Sequence, residues 1–275
     1  MTPGDDDEQD LTRKERREQA RADRKAAEAE AAQDAVRRTR MIQLGIGLAV
    51  VVVAIVIIAV AAGGSGSKKP PKAGSPEETK ITSTVTSELA GTTQSGNVLG
   101  SATAPVTLVY FGDLECPVCR DFTLGALPSI IKKWVPTGKL RIEYRSLETA
   151  THEPETFKSQ QIAALAAGKQ NKMWNYLELF YHEQGEENSA YVTEQYLEKL
   201  GRQAGLDMSK WASDRKDPSF ENQVATDQQL ANTNGFNGTP SFLIGNSGGA
   251  LKKLEYSSLT DPGSFDEAIE KLLKK

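Results

Sequence analysis

Two cysteines, Cys116 and Cys119, stand three positions apart directly behind an apolar run, and they are the only cysteines among 275 residues. The run, residues 106–111 (VTLVYF), is rich in β-branched and aromatic side chains and is broken by Gly112 and Asp113, which predicts a buried strand. Behind it, Val118, Phe122, Ala126, Ile130 and Trp134 follow helical spacing, which predicts a helix kinked at Gly125 and Pro128. A dithiol therefore falls at a strand-to-helix junction. Positions i and i+3 share one helical face, so the two sulfurs can meet. Pro117 suits the first helical turn, where a missing N–H costs nothing. Cys116 then lies at the helix N-terminus, where free N–H groups and the positive dipole end favour a thiolate. The thiolate is the attacking species in disulfide exchange. Cys119, one turn further in, is expected to be the more buried.

The pair admits three chemistries. Redox exchange suits the placement best. Zinc would need His152 and His182, the only histidines, which lie thirty positions apart without an H-x₃₋₅-H pattern, so no metal is assigned. An inert disulfide would close a very short loop and gain little entropic stabilisation. The two histidines read as surface or cap residues. Asp113 and Arg120 either tune the local field or are simply solvated.

Residues 100–119, ending in APVTLVYFGDLECPVC, resemble the DsbA-like branch of the thioredoxin superfamily. Residues 238–242 (GTPSF) resemble the cis-proline loop of that family. The likeness runs from about residue 97 to the C-terminus. It implies an α/β thioredoxin fold with a helical insertion. It also implies a thiol–disulfide oxidoreductase that introduces disulfides into reduced or unfolded secreted proteins and is reoxidised by a quinone-linked membrane partner. No bound cofactor is implied. Cys116 and Cys119 take the catalytic positions. Pro240 would be cis, and Thr239 before it would offer backbone groups to an extended substrate strand. Pro117, Val118, Glu115 and Tyr110 form the active-site environment. Two of these depart from the family pattern: many relatives carry a polar residue or His at the Val118 position, and a buried acid serving as proton shuttle at the Tyr110 position. Glu115 and Asp113 are expected to raise the Cys116 pKa by repulsion, against the helix N–H groups. That leaves the potential open, so isomerase or reductase action is an alternative to oxidation. A second alternative is a thioredoxin-like binding or chaperone module using the same surface.

The rest of the chain is uneven. Residues 1–40 hold ten Lys/Arg and eleven Asp/Glu and read as a polar, partly helical cytoplasmic tail. Residues 41–62 carry no charge and are dominated by Val, Ile, Ala and Leu. At about 1.5 Å per residue they span roughly 33 Å, enough to cross a bilayer. The competing reading is a cleaved signal peptide with Ala59-Val60-Ala61 as its site, but the run is long and forty residues precede it. Six Lys/Arg lie within twenty residues before the span and four within twenty after it, which favours a cell-membrane anchor with the C-terminal domain outside. Residues 63–80 read as a flexible linker. Residues 81–275 carry 19 Lys/Arg and 24 Asp/Glu, a net of −5, and so lack a footprint for nucleic acid.

Within that last segment, 81–89 alternates loosely and predicts an edge strand. Residues 140–144 predict a second inner strand, and 242–244 with 251–256 a β pair across 245–250. Helices are expected over 157–167, 172–182, 193–204 and 219–234, filling an insertion of about 155–235. Trp174, Tyr176, Phe180 and Tyr181 are assigned to its core. A last amphipathic helix, 264–273, buries Phe265, Ala268, Ile269, Leu272 and Leu273 and opens on a Ser264…Glu267 capping box.

Overall fold

The structure, a computed structural model, describes residues 69–274. The polar tail, the apolar span and the first part of the linker lie outside the described residues. Among the described residues no helix is long and apolar enough to cross a membrane.

The chain enters through helix α1 (Pro76–Glu88), where the sequence predicted an edge strand over 81–89. The reason is local. Ser75 caps the helix by accepting the Glu78 N–H at 3.2 Å, Pro76 takes the first turn, and Glu77 and Glu78 favour its positive end. The apolar residues Ile81, Val85 and Leu89 are spaced by four as well as by two, so they fit a helical stripe equally well, and all three pack on the core. The helix takes in residues 76–80, which the sequence had placed in the linker.

A six-stranded sheet follows, in the spatial order β1-β2-β4-β3-β5-β6. The short β1 (Gln94–Ser95) and β2 (Val98–Leu99) form an unpredicted hairpin. The central strand is β3 (Val106–Gly112), buried at every position, which is why its sequence reads as an unbroken apolar run. It pairs in parallel with β4 (Leu140–Ser146), Val106 opposite Leu140 through Gly112 opposite Ser146. On its other side it pairs antiparallel with β5 (Ser241–Asn246), Val106 opposite Asn246. The expected strand 251–256 shrinks to β6 (Lys252–Lys253).

Between β3 and β4 the expected kinked helix is two helices, α2 (Pro117–Leu124) and α3 (Ala126–Trp134). Gly125 forms the break. A Cβ there would stand 2.5 Å from Asp121 O, 2.8 Å from Thr260 Cα and 2.9 Å from Leu259 O, so only glycine lets the loop at 259–260 pack into the joint. The insertion between β4 and β5 holds α4 (Pro154–Gly168), α5 (Met173–His182), α6 (Glu194–Gln203), the unpredicted α7 (Met208–Asp214) and α8 (Ser219–Thr233). As expected, Trp174, Tyr176, Phe180 and Tyr181 are buried. The final helix α9 (Gly263–Leu273) buries Phe265 and Ile269. Its capping box does not form. The helix opens one residue earlier than predicted, and Asp261 Oδ1 accepts the Gly263 N–H at 2.7 Å in its place.

Alternate residues of β3 feed two cores. Leu108 and Tyr110 join the large core with α2, α3, α5 and α9, while Val109 and Phe111 join a small one with Leu243, Leu147 and Ala231 of α8. The C-terminal end of β3 thus delivers its next residues, 113–119, to a rim bounded by α2, α5 and the start of β5.

Gly125→Ala tests the joint. Overpacking of this kind costs about 1–3 kcal/mol, so the variant is expected to unfold at lower denaturant concentration with an unchanged slope.

Candidate active site

Cys116 is the N-cap of α2, with extended backbone angles, and Pro117 is the first helical residue. The cap places its sulfur against the open end of the helix: the Cys119 N–H donates to Cys116 Sγ at 3.4 Å. Cys116 Sγ also lies 3.5 Å from Thr239 O, directed as donor to that carbonyl. Both thiols are free. Cys116 is only 5% exposed, and Cys119 is fully buried. The Cys119 thiol beside it lowers the Cys116 pKa most. Burial opposes this, and the Thr239 contact and the N–H groups of Cys119 and Val118 assist it, leaving the pKa lowered to about 6. Burial pushes the Cys119 thiol well above its ordinary value, and the Cys116 charge pushes it the same way. The dithiol is therefore asymmetric, one sulfur a thiolate at neutral pH and the other a thiol.

The carboxylates before the dithiol do not act as the sequence suggested. Asp113 is fully buried rather than solvated. Its Oδ1 accepts the Glu115 N–H at 3.1 Å and the Thr151 hydroxyl at 2.6 Å. Its Oδ2 accepts the N–H groups of Thr149, Ala150 and Thr151 at 2.8–2.9 Å. Its charge is taken up by these donors, not directed at Cys116. Glu115 is also buried, and burial raises its pKa, with Asp113 and Glu187 adding to the shift and a Thr151 hydrogen bond opposing it. The expected repulsion on Cys116 is blunted on both counts.

The Thr239–Pro240 peptide bond is cis. Thr239 Oγ1 and Thr149 Oγ1 share a hydrogen bond at 2.5 Å, so the loop that carries Asp113's donors also holds the residue facing Cys116. Tyr256 donates to Pro240 O at 3.3 Å. Its ring packs on Phe242 and Phe265, the former of which stacks with Tyr110. Val118, which the sequence assigned to the active-site environment, is 43% exposed, and with Tyr256 at 37% it is one of two large apolar side chains left open among the described residues. Both lie in the segments that border Cys116.

Tyr110, which the sequence assigned to the active-site environment, is fully buried. Its hydroxyl donates to Tyr181 at 3.2 Å, and Tyr181 donates to Asp113 O at 3.2 Å. Tyr144 donates to Gly112 O at 3.0 Å. Gly112 makes room for this triad: a Cβ there would lie 2.8 Å from the Tyr144 ring and 2.9 Å from the Tyr181 hydroxyl. Burial raises all three tyrosine pKa values.

Several contributors escaped the sequence reading. Gln184 donates to Leu114 O at 2.8 Å and to Cys116 O at 3.1 Å, clamping the loop from the insertion. Arg120, expected either to tune the field or to be solvated, donates its Nε–H to Tyr181 O at 3.2 Å. Thr149 and Thr151 complete the set. Nothing in local sequence marks Gln184, Thr149 or Thr151, because their partners at the site lie 36 or more positions away. The histidines do not join the cysteines. His152 is exposed as expected, and His182 is half-buried beside Glu88. Among the described residues the one cluster of potential metal ligands is Glu88, Glu178 and His182.

A dithiol capping a helix, beside a cis-proline loop on a central βαβ sheet, defines a thiol–disulfide oxidoreductase of thioredoxin fold. Comparison with known proteins agrees. The family model described as thioredoxin matches residues 92–260, and the chain belongs to that family. Its DsbA-like character is carried by its relatives. The probable disulfide bond formation protein D of Bacillus anthracis is 27% identical over 188 residues, covering 64% of this chain and 78% of that protein. The crystal structure of oxidised BdbD from Bacillus subtilis superposes with a TM-score of 0.56 at 23% identity, covering 67% of this chain and 98% of that one. The α-DsbA1 structure from Wolbachia pipientis gives 0.52 at 19%, covering 65% and 90%.

Three outcomes follow from this geometry. Alkylation of Cys116 in the reduced protein should titrate with a midpoint near pH 6, as the lowered pKa requires. Because the folded pKa lies below the ordinary thiol value, the thiolate's contribution to stability is complete above that ordinary value, about 8.5–9. It is lost as pH falls through about 6. Reduced wild-type protein should thus gain stability relative to Cys116→Ser as pH rises from 6 to 9. Separately, Asp113→Ala leaves buried donors in two loops unsatisfied and should cost at least about 3 kcal/mol in denaturant unfolding.

Proposed function

We propose that this protein is an extracytoplasmic disulfide-introducing enzyme, held at the cell membrane by residues 41–62, with Cys116 and Cys119 as its catalytic pair. The observation that carries the reading is the asymmetry of the dithiol. A stabilised Cys116 thiolate favours the reduced form, and a protein whose reduced form is favoured is an oxidant toward other thiols. The disulfide-formation name of its relatives points the same way.

The proposed reaction is as follows. In the oxidised enzyme a client thiolate attacks Cys116 Sγ. The Cys116–Cys119 bond breaks, a mixed disulfide forms, and Cys119 leaves and takes up a proton. A second client thiolate attacks the client sulfur of the mixed disulfide, and Cys116 leaves as the thiolate. The client has lost two electrons and gained a disulfide; the enzyme holds the two electrons as a dithiol. A membrane redox partner takes them and restores the disulfide. Thr239 faces Cys116 and is assigned, with Pro240, to align an extended client segment through backbone groups. The exposed Val118 and Tyr256 give that segment an apolar contact.

The reduction potential tests the reading. A value more oxidising than the glutathione pool, together with mixed disulfides trapped by Cys119→Ser and few by Cys116→Ser, is the expected result. A strongly reducing potential with equal trapping by both variants would instead fit a reductase or a binding module with an incidental disulfide. For the anchor, protease added to intact cells should remove the globular domain; protection until lysis would reverse the orientation.

A further inference from the structure

Glu88, Glu178 and His182 converge where the last residue of α1 meets the final turns of α5. Glu178 and His182 are four positions apart on α5 and share its face, and Glu88 comes from the other helix. One ligand-capable atom from each lies within 4.8 Å of the other two. Glu178 is 2% exposed, and its Oε2 has no hydrogen-bond partner among the described residues. Glu88 Oε2 and His182 Nε2 approach to 3.5 Å without making a hydrogen bond. Among the described residues no Lys or Arg pairs with either carboxylate. A buried carboxylate beside a second one, with no cation, is costly, and Glu88 also closes α1, where the helix dipole disfavours negative charge.

We propose that Glu88, Glu178 and His182 form a divalent-cation site of the zinc type that ties α1 to α5. One imidazole nitrogen and two carboxylate oxygens suit Zn²⁺, whereas Ca²⁺ and Mg²⁺ take shells of oxygen. Zinc bonds of about 2.0–2.2 Å put neighbouring ligand atoms of a tetrahedron roughly 3.3 Å apart, which rotation of the two carboxylates can supply. The side chains of His182 and Glu88 are 17% and 23% exposed, which leaves an entry path and room for a water as fourth ligand. The site is separate from the dithiol. Its effect is on the docking of the first described helix against α5, whose Tyr181 carbonyl holds Arg120 of the dithiol helix.

The test uses the untagged full chain in detergent, oxidised so that Cys116 and Cys119 cannot bind metal. After treatment with a chelator it is titrated with Zn²⁺, Ca²⁺ and Mg²⁺ by calorimetry, and its thermal midpoint is followed. The expected result is one equivalent of Zn²⁺ per chain, bound at least tenfold more tightly than Ca²⁺, with a raised midpoint. Glu178→Gln and His182→Asn should each weaken zinc at least tenfold and abolish the rise, and Glu178→Gln should be no less stable than wild type without metal. If Glu178→Gln does not fold, the half-buried partners, tested as Glu88→Gln and His182→Asn, answer the same question. Absence of zinc binding by oxidised wild type, tighter binding of Ca²⁺, or unchanged zinc affinity in folded variants would overturn the proposal.

Discussion

The active end of this molecule depends on one buried carboxylate. Asp113 has no cationic partner among the described residues; its charge is met by a hydroxyl and four backbone N–H groups from Glu115 and the 149–151 loop. Charge-assisted bonds of this kind are stronger than neutral ones, and each donor would otherwise be buried without a partner. The carboxylate thereby fixes the end of β3 to the loop after β4, two chain segments that the parallel pairing alone would leave free beyond Gly112 and Ser146. Gln160 braces the same loop by donating to the Thr151 hydroxyl at 2.8 Å. Thr149 passes the constraint to Thr239 and so to the carbonyl facing Cys116. The relative position of the Cys116 sulfur and the cis-proline loop is held by this chain of short polar contacts.

Burial then separates the two thiols. Both lie on a helix that offers N–H groups, but only Cys116 stands at its open end, where the Cys119 N–H can reach it. Cys119 is fully buried, as are Tyr110, Tyr144 and Tyr181, whose hydroxyls burial keeps neutral at physiological pH. About one helical turn is thus enough to place one sulfur in a field that favours charge and the other in a medium that rejects it.

Much of this was legible in the sequence, and the exceptions have physical causes. The central strand, the dithiol helix and the insertion were readable because their apolar periodicity and breakers are local. The segment 81–89 was misread because Ile81, Val85 and Leu89 satisfy two periods at once, and the deciding cap, Ser75-Pro76, lay in what read as a linker. Val118 shares the helical spacing of Phe122 but stands on the exposed side of the first turn, opposite in burial to Cys119. The hairpin of β1 and β2 is too short to leave a pattern. The role of Asp113 was invisible because a carboxylate after a strand looks solvated until the loop 36 residues later supplies its donors. Gln184 and Thr149 were missed for the same reason: a side chain that acts on a distant backbone leaves no spacing to read.

Tyr110 bears most on the direction of the proposed reaction. Its hydroxyl leads through Tyr181 to the carbonyl of Asp113, an acceptor that cannot take a proton away. A carboxylate at that position could accept the Cys119 proton; this hydroxyl chain ends without a base. In a mixed disulfide on Cys116, two thiols compete. Attack by Cys119 would reverse the first step and return the client thiol, but it requires a thiolate that burial disfavours. Attack by the client's second thiol expels Cys116, a good leaving group because its pKa is lowered to about 6. In the proposed reaction, the same burial that makes Cys119 slow as a nucleophile would favour resolution by the client's second thiol, and the Tyr110 hydroxyl chain supplies no base to offset it.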